Sequence, residues 1–305
     1  MSKIVIIGSA NTDLIVVSER APRPGETIIG GEFRMVSGGK GANQAVAAVR
    51  LGGDATFVTR VGRDVFGENL INVYRKEGMD TSHIISDPQA PSGVALINVD
   101  AKAENSIVVV PGANGKLTRQ DIDNVIPLLQ DAEYLLLQLE IPLDVVEYTI
   151  NKAAALGVKV ILNPAPAAPL SSDALSRVFA ITPNETECSI ITGIEVNTPE
   201  SAQEAADKLH KLGIPNVVIT CGKRGAFISS PDKSMMMPAR KVSAVDTTAA
   251  GDVYNGALAV GLSEGMDIFK AAEMATCASA IAVTRLGAQS SIPTRGEVDR
   301  MLAGE

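Results

Sequence analysis

Short apolar runs alternate with helical patterns along the chain, and this alternation restricts the fold more than any other feature of the sequence. Residues 3–8, 134–140 and 217–220 form continuous apolar runs, which are typical of parallel strands buried on both faces. Residues 66–78 and 142–156 carry helical patterns between such runs. Strands that alternate with helices build parallel sheets with helices on both faces. The sequence therefore predicts the α/β class, with a doubly wound, mostly parallel sheet.

Two stretches depart from this alternation and indicate a small second sheet. Residues 14–17 and 26–33 have strand character, and prolines and a glycine lie between them without any helical pattern. Residues 94–99 and 106–110 are predicted to pair with each other as strands. We predict that both excursions, at about residues 14–36 and 93–111, form one small β lid on a single domain that spans residues 1–305.

Polar side chains follow several of the predicted strands. They are Asn11, Asp13, Glu140, Asn184 and Glu187, together with residues 220–225. The carboxyl ends of the strands of a doubly wound sheet lie at one edge, where such folds bind ligands. We therefore expect these groups to converge on one site. Asn11 and Asp13 are suited to bind sugar hydroxyls, although the same residues are equally typical of an Asx turn.

A glycine-rich segment at residues 37–44 leads into a helical pattern that ends at Gly52. Its glycines allow a ligand to approach the backbone closely, and Lys40 and Asn43 carry donors for ligand hydroxyls. The segment lacks the residue order of a P-loop, and Gln44 stands where the last glycine of a dinucleotide-binding fingerprint is required. The alternative is a glycine-rich loop with a solvated lysine.

Residues 245–252 run through three small residues into an apolar helical pattern. The free N–H groups and partial positive charge at a helix start favour an anion, so Ala249, Ala250 and Gly251 are predicted to form an anion hole. Asp252 is then placed to take a proton from an attacking hydroxyl. The alternative is an ordinary helix start in which Asp252 only complements the helix dipole.

Composition argues against several classes of function. The net charge of −8, without a long basic run, argues against a nucleic-acid partner. The three cysteines are far apart, which argues against a disulfide framework or a zinc site, and His83 and His210 are poor candidates for a catalytic triad. No apolar run is long enough to cross a membrane. We therefore predict a soluble, cytoplasmic protein that binds neither nucleic acid nor membrane.

Two segments resemble the paired signatures of the PfkB-type carbohydrate kinases, the ribokinase family. They are residues 38–45 (Gly-Gly-Lys-Gly-Ala-Asn-Gln-Ala) and residues 246–252 (Asp-Thr-Thr-Ala-Ala-Gly-Asp). Further segments resemble the same family in the same order, at residues 11–13, 138–140, 163–166, 183–187 and 287–291. The resemblance therefore covers essentially the whole chain.

The resemblance implies a doubly wound α/β domain with a β lid, and a homodimer joined through that lid. It implies that D-ribose and ATP are the ligands and that ATP phosphorylates D-ribose at the 5-hydroxyl to give D-ribose 5-phosphate and ADP. It also implies Mg²⁺ as the divalent cation and K⁺ as an activating cation. A kinase for 2-deoxyribose or a nucleoside is an alternative within the family, and a non-catalytic sugar or nucleotide sensor is an alternative outside it. The missing Gly-x-Gly-x-x-Gly argues against a nicotinamide oxidoreductase.

The family's functional residues match positions of this sequence, and their roles are implied by the resemblance. Asp252 is implied as the catalytic base, beside an anion hole formed by Ala249, Ala250 and Gly251. The implied sugar-binding residues are Asn11, Asp13, Gly39, Lys40, Gly41, Asn43, Glu140 and Asp252. The implied nucleotide-binding residues are Asn184, Thr220, Gly222, Lys223, Gly225, Gly251 and Thr276. The implied potassium ligands, mostly through backbone oxygens, are Asp246, Thr248, Ala282, Arg285, Gly287 and Ser291. Glu187 is implied as an indirect magnesium ligand.

Two positions depart from the family pattern. Ala249 stands where the motif often has glycine, and its methyl group still permits close approach of a phosphate. Val253 and Tyr254 stand where the family usually carries Thr-Phe, which alters packing behind the base. Thr276 falls near the position of the adenine, so the preferred nucleotide stays open.

Overall fold

The computed structural model describes residues 3–102 and 104–305. Residues 1, 2 and 103, which belong to the predicted domain and the second predicted excursion, lie outside the described residues. The strands of the described chain are β1 (Lys3–Ile7), β2 (Asn11–Val17), β3 (Phe33–Gly38), β4 (Ala55–Gly62), β5 (Ile84–Asp87), β6 (Gly93–Val99), β7 (Asn105–Val110), β8 (Ala132–Leu137), β9 (Lys159–Leu162), β10 (Val178–Ile181), β11 (Asn216–Thr220), β12 (Ala226–Ser230) and β13 (Lys233–Met237).

The helices complete the alternation that the sequence predicts. They are α1 (Lys40–Arg50), α2 (Val65–Lys76), α3 (Arg119–Asn124), α4 (Ile126–Gln130), α5 (Leu143–Ala155), α6 (Ser172–Leu175), α7 (Glu185–Thr192), α8 (Pro199–Lys211), α9 (Ala250–Ser263), α10 (Ile268–Ala282) and α11 (Arg295–Ala303). Short 3₁₀ turns occupy residues Gly112–Lys116, Gly222–Arg224 and Gln289–Ser291.

The main sheet has the strand order β13-β12-β11-β10-β9-β8-β1-β4-β5. The pairs from β11 to β5 are parallel, and β12 and β13 add an antiparallel edge. Ile4 of β1 pairs with Ala55 of β4 on one side and with Tyr134 of β8 on the other. The predicted mostly parallel α/β sheet is confirmed.

Helices cover both faces of the main sheet. Successive side chains of a strand point to opposite faces, so each buried strand contributes to two cores. Ile4 and Ile6 of β1 belong to the core formed with α1, α9 and α10. Val5 and Ile7 belong to the core formed with α5 and α8. All four side chains are at most 2% exposed. This double burial explains why the strand is apolar at every position rather than at alternate ones.

The two predicted excursions pair with each other in a second sheet of order β3-β2-β6-β7. Strands β2 and β6 run parallel, and β3 and β7 are antiparallel to their neighbours. The predicted strand at residues 26–33 is wrong, because β3 begins only at Phe33 and the residues before it form a loop. Gly30 and Gly31 interrupt that segment, and glycine is unfavourable in strands. Strand β2 also begins earlier than predicted, at Asn11.

Other boundaries differ for local reasons. The helical segment between β7 and β8 is divided into α3 and α4, because Pro127 has no N–H to continue the helical hydrogen bonds. Thr118 caps α3 and accepts a hydrogen bond from the Asp121 N–H. Strand β8 ends at Leu137, so Glu140 lies in the loop beyond the strand. Within the described residues, no helix is both long and apolar enough to span a bilayer.

Candidate active site

Asp252 lies in the first turn of α9. Its side chain is only 7% exposed. Asn43 Nδ2 donates to Asp252 Oδ2 over 2.9 Å, and Gln44 Nε2 donates to Asp252 Oδ1 over 3.1 Å. Burial raises the pKa of Asp252, although Lys40 and these two donors act in the opposite direction. The carboxylate is therefore held in a fixed orientation and is more basic than an exposed one.

The residues before Asp252 form a turn that opens the helix. Ala249 has a φ of 58°, the left-handed conformation, which glycine adopts without steric cost and alanine does not. This is the position where the family motif often has glycine. Ala250 and Gly251 follow as the first two residues of α9, and an added Cβ on Gly251 would meet no atom within 4 Å. The Ala250 N–H donates to the Thr247 main-chain oxygen over 3.2 Å. The N–H groups of Gly251 and Asp252, which follow it in the first turn, have no acceptors within the helix and suit an anion.

The residues predicted to bind a sugar converge from the start of β2, the start of α1, the loop after β8 and the first turn of α9. Glu140 Oε2 accepts a hydrogen bond from the Lys40 main-chain N–H over 3.0 Å and one from Ser9 Oγ over 2.5 Å. Burial, Glu140 and Asp252 together raise the pKa of Asp13 to about 6. Burial opposes the charge of Lys40, but Asp252, Glu140 and Glu187 outweigh it and raise the pKa of the ammonium group. The site thus gathers several carboxylates around one lysine.

Asn11 lies in the same group, at the first residue of β2 rather than in an isolated Asx turn. Its Oδ1 accepts a hydrogen bond from Asn114 Nδ2 over 2.7 Å, and Asn114 also binds both main-chain polar groups of Ala10. The Asn11 carboxamide is therefore held with its NH₂ group free to turn toward a ligand. This fixed orientation favours a binding role over a turn.

Two glycines allow these segments to approach each other. Gly39 has a φ of 89°, and a Cβ there would lie 2.8 Å from the Asn11 nitrogen. A Cβ on Gly41 would lie 2.6 Å from the Ser9 nitrogen. Such separations are too short for a side chain, so both positions require glycine. The glycines of this segment are therefore needed for packing within the protein.

A cavity of about 700 Å³ opens beside the start of α9. Its lining includes all seven residues predicted to bind a nucleotide: Asn184, Thr220, Gly222, Lys223, Gly225, Gly251 and Thr276. Ala250 also lines it, so two of the three residues of the predicted anion hole, Ala250 and Gly251, lie on the wall of this cavity. The volume is within the usual range of small-molecule sites.

Asn184 and Glu187 cap helix α7 and hold each other. Asn184 Oδ1 accepts from the Glu187 N–H over 2.8 Å, and the Asn184 N–H donates to Glu187 Oε2 over 2.9 Å. Burial raises the pKa of Glu187, although the Asn184 N–H and Lys40 oppose this effect. Among the described residues, no group of three or more His, Cys, Asp or Glu side chains could hold a metal ion.

Asp246 joins the two loops predicted to bind potassium. Its Oδ1 accepts from the Thr248 N–H over 2.9 Å and from Thr248 Oγ1 over 2.6 Å, and its Oδ2 accepts from the Gly287 N–H over 2.8 Å. Burial alone would raise the pKa of Asp246, but these hydrogen bonds outweigh it and hold the pKa below its usual range. Ala282 and Ser291 are buried on either side of Gly287, and the Arg285 side chain is paired with Glu297.

Several polar residues around Asp252 were not predicted. They are Ser9, Gln44, Asn114, Gln138, Asn163, Thr182 and Asn255, and each is at most 6% exposed. Gln44, Gln138 and Asn163 do occur in segments that resemble the family, which was the one available signal. Their partners come from different strands, so sequence spacing alone does not reveal the network.

Comparison with known proteins agrees with this geometry. The family model described as pfkB family carbohydrate kinase matches residues 1–295. A ribokinase of Haemophilus influenzae is 44% identical over 294 residues, which is 96% of each chain. A deoxyribokinase of Salmonella typhi is 37% identical and covers 98% of each chain. The solved structure of an Arabidopsis thaliana ribokinase complexed with ribose and ATP superimposes with a TM-score of 0.94, at 32% identity and 99% coverage of each chain.

Proposed function

The chain belongs to the pfkB family of carbohydrate kinases, and from this premise we propose that it transfers the γ-phosphate of ATP to the 5-hydroxyl of D-ribose. The products are D-ribose 5-phosphate and ADP. One observation carries this proposal: Asp252 binds Asn43 of the sugar group and follows Gly251 of the nucleotide cavity directly in the chain. The acceptor and the donor of the phosphate therefore meet at one carboxylate.

The sugar is held by Asn11, Asp13, Gly39, Lys40, Gly41, Asn43 and Glu140 in this proposal. Asn43 supports it in a specific way. Asn43 Nδ2 is bound to Asp252, whereas Asn43 Oδ1 is buried and has no hydrogen-bond partner among the residues that the structure describes. A buried acceptor of this kind is costly unless a ligand supplies a donor, and a sugar hydroxyl is such a donor.

Asp252 acts as the general base. It takes the proton of the 5-hydroxyl as the oxygen attacks phosphorus, and its raised pKa suits proton transfer near neutral pH. Phosphoryl transfer depends mainly on positioning and on neutralising charge. The Gly251 N–H supplies a donor for the negative oxygens of the transferred group. The Ala250 N–H can join it only by giving up its hydrogen bond to the Thr247 main-chain oxygen.

The nucleotide occupies the 700 Å³ cavity. Lys223 and Thr220 supply polar groups to its lining, and Thr276, which also lines it, would lie near the base. Gly251 places the phosphate end next to Asp252. The ADP and ATP phosphates thereby lie at the helix start, where the helix dipole favours anions.

Magnesium is held chiefly by the ATP phosphates and water, with Glu187 acting indirectly. The residues fit this arrangement: a single half-buried carboxylate is fixed by the α7 cap, and Mg²⁺ usually binds one or two carboxylates plus substrate phosphates. The ion would offset phosphate charge as it spreads during transfer.

Potassium is held by the loops that Asp246 joins, with Thr248, Ala282, Arg285, Gly287 and Ser291 contributing mostly backbone oxygens. The ionised carboxylate and the oxygen-rich donor set fit a monovalent cation. Such an ion adds positive charge near the start of α9.

The small sheet acts as the lid of a single domain, with limits at about residues 14–36 and 93–111, and it joins two copies as a homodimer. The register supports this assembly. Leu96 pairs directly with Val108, so their side chains share one face, and they are 49% and 61% exposed. Phe33 and Met35 lie on the same face of the sheet and are 63% and 49% exposed. Contiguous apolar patches of this kind are typical of interfaces.

A cytoplasmic location is part of the same proposal. The three cysteines, Cys188, Cys221 and Cys277, are all buried and unpaired, as expected in a reducing compartment. ATP and phosphorylated sugars are also used in that compartment.

A second acceptor, 2-deoxyribose, is favoured by the 37% identity to a deoxyribokinase. Asp13 and Lys40 argue for ribose, because a site built to bind the 2-hydroxyl leaves a buried polar group unpaired when that hydroxyl is missing. A non-catalytic sensor is the remaining alternative, and the fixed carboxylate of Asp252 argues against it.

The experiment is ATP-dependent ADP release with D-ribose, 2-deoxy-D-ribose, adenosine and fructose 6-phosphate, each with and without K⁺. We expect the highest kcat/KM with D-ribose and activation by K⁺. A preference for another acceptor would contradict the assignment of ribose as the sugar, but it would not contradict the proposed roles of Asp252 and the anion hole. ATP binding without turnover on any acceptor would indicate the sensor instead.

A further inference from the structure

Three buried carboxamides form a line of hydrogen bonds beneath Asp252. Gln138 Nε2 donates to Gln44 Oε1 over 2.6 Å, and Gln44 Nε2 donates to Asn163 Oδ1 over 3.1 Å. Asn163 Nδ2 then donates to the Thr182 main-chain oxygen over 3.1 Å. Each of the three side chains is at most 6% exposed. The line connects the ends of β8, β9 and β10 to helix α1.

The direction of this line is fixed at one end. A main-chain carbonyl can only accept a hydrogen bond, so Asn163 must turn Nδ2 toward Thr182 and Oδ1 toward Gln44. Gln44 must then turn Nε2 toward Asn163, and its Oε1 is bound by Gln138. The same Nε2 also reaches Asp252 Oδ1. The Thr182 carbonyl therefore determines that Asp252 faces a donor on its buried side.

The two oxygens of Asp252 consequently have different surroundings. Oδ2 is bound by Asn43, which belongs to the sugar group, so Oδ2 lies on the sugar side. Oδ1 is bound by Gln44, which is 0% exposed and cannot touch a ligand. Oδ1 therefore serves to hold the carboxylate in position, and Oδ2 is the oxygen that can accept the proton.

We propose that Gln44, oriented by Gln138 and Asn163, is a positioning residue that fixes the catalytic carboxylate and keeps it ionised. The catalytic part of this inference rests on the proposed function of Asp252 as the base. A hydrogen bond to a buried carboxylate stabilises its charged form, and its loss leaves the charge less compensated. Without the Gln44 donor, Asp252 would both rotate and hold its proton more tightly.

Other charges face the same carboxylate and must be accounted for. Lys40 at the start of α1 favours the ionised form, whereas Glu140 beyond β8 disfavours it. Asp13 on β2 and Glu187 on α7 also interact with Asp252. A substitution at Gln44 leaves all four groups in place, so a change in the titration of Asp252 is attributable to the lost donor.

The test is Gln44→Met, which keeps a similar volume and removes the amide. Aspartate carboxyl carbons are labelled with ¹³C, the Asp252 signal is identified by its loss in Asp252→Asn, and the ligand-free protein is titrated. We expect the pKa of Asp252 to rise by about one pH unit or more, which corresponds to one hydrogen bond to a charged group. With D-ribose, kcat should fall by roughly 10- to 100-fold, while KM changes little, as for a misplaced catalytic group.

Thr149→Val is the matched control. Thr149 is fully buried on α5, and its hydroxyl donates to the Val145 carbonyl over 2.6 Å. Helix α5 packs in the core on the other face of the main sheet from α1 and α9. The Thr149→Val substitution should lower the melting temperature without changing the pKa of Asp252 or the pH profile of kcat. Gln138→Met is the second variant in case Gln44→Met does not fold. It removes the anchor on Gln44 Oε1 and should give a smaller change in the same direction.

An Asp252 titration that matches wild type in both glutamine variants would overturn the inference. So would a fall in kcat that only follows lost stability, as in Thr149→Val. The NMR titration needs no substrate, so it separates this inference from the proposed function. A wild-type protein that does not phosphorylate ribose would contradict the proposed function while the titration still decides the role of Gln44.

Discussion

Asn43 Nδ2 donates a hydrogen bond of 2.9 Å to Asp252 Oδ2, although the two residues are 209 positions apart. This contact joins the glycine-rich start of α1 to the start of α9. The buried carboxylate on one helix is satisfied by donors from the other, so the two segments are correctly placed only together. Packing of α1 against α9 through Gly256, where a Cβ would lie 2.6 Å from the Ala47 methyl carbon, keeps this distance short.

Gly251→Ala should separate stability from activity. Alanine is favoured over glycine in a helix by about 0.5–1 kcal/mol, and the added Cβ would meet no protein atom within 4 Å. The methyl group would instead occupy the wall of the nucleotide cavity at the predicted anion hole. We expect a higher melting temperature and a kcat/KM for ATP that is lower by roughly 10²-fold, because the methyl group would hold the phosphate away from the N–H donors and the loss of one such contact has about this effect.

Gly296→Ala is the control for that prediction. Gly296 is the second residue of α11, as Gly251 is of α9, and its nearest neighbour to an added Cβ is the flexible end of Arg300 at 3.8 Å. The substitution should raise stability by a similar amount and leave the rate unchanged. Equal activity of the two variants would contradict the assignment of Gly251 to the phosphate site.

Asp13→Asn should stabilise the protein and weaken sugar binding. The pKa of Asp13 is about 6 in the folded protein, above its usual value of 3.8. The folded state therefore binds the proton more tightly than the unfolded state, and stability falls as pH rises between about 4 and 6. Asparagine cannot ionise, so the free energy of unfolding of the variant should exceed that of wild type by up to about 3 kcal/mol above pH 7. The two should converge near pH 4.

Urea unfolding of both proteins at pH 4, 5, 6, 7 and 8 measures this difference. A difference in stability that does not depend on pH would show that Asp13 titrates normally. The same variant should bind D-ribose more weakly while ATP binding is retained, since Asp13 is not part of the nucleotide cavity.

Asp246→Asn tests the potassium assignment. The ionised carboxylate is the negative group of the proposed site and also joins residues 248 and 287. We expect the ratio of the rates with and without K⁺ to approach one, because the neutral amide attracts a cation less. Asp299→Asn, which removes only an exposed ion pair with Arg295, should retain activation. Full K⁺ activation in Asp246→Asn would contradict the site.

Leu96→Glu tests the proposed dimer. A buried, unpaired charge is costly at an apolar interface, so sedimentation should find a monomer where wild type forms a dimer. Ile190→Glu places the same charge at an exposed apolar residue on α7 (64% exposed) and should not change the mass. A wild-type protein that is monomeric at micromolar concentration would contradict the lid-mediated assembly.

The main sheet was predictable because its strands are apolar at every position and bounded by helices. β1 shows this best: Ile4 and Val5 enter different cores, so neither could be polar. The edge strand β13 was missed, because Lys233 and Ser234 are exposed and break the apolar pattern. The segment before β3 was misassigned because Ile28 and Ile29 suggest a strand, whereas Ile29 is 98% exposed in a loop.

The residues of the candidate site were predictable from strand ends and motifs, but the buried residues that bind and orient them were not. Gln44, Asn163 and Thr182 carry no local signal of their contact, since they come from α1 and from the ends of β9 and β10. Only the parallel order of those strands brings them together. Ala249 was not predicted to have an unusual backbone conformation: only its methyl group was considered, whereas its φ of 58° shows why the motif often has glycine there.

The most direct test of the central claim is single-turnover transfer of phosphate from ATP to D-ribose by Asp252→Asn, with ribose affinity measured by calorimetry. Asparagine keeps the shape of the side chain and cannot accept the proton. We predict a rate roughly 10²–10⁴-fold below wild type and a ribose dissociation constant within a few-fold of wild type. Transfer at the wild-type rate would contradict the role of Asp252 as the base.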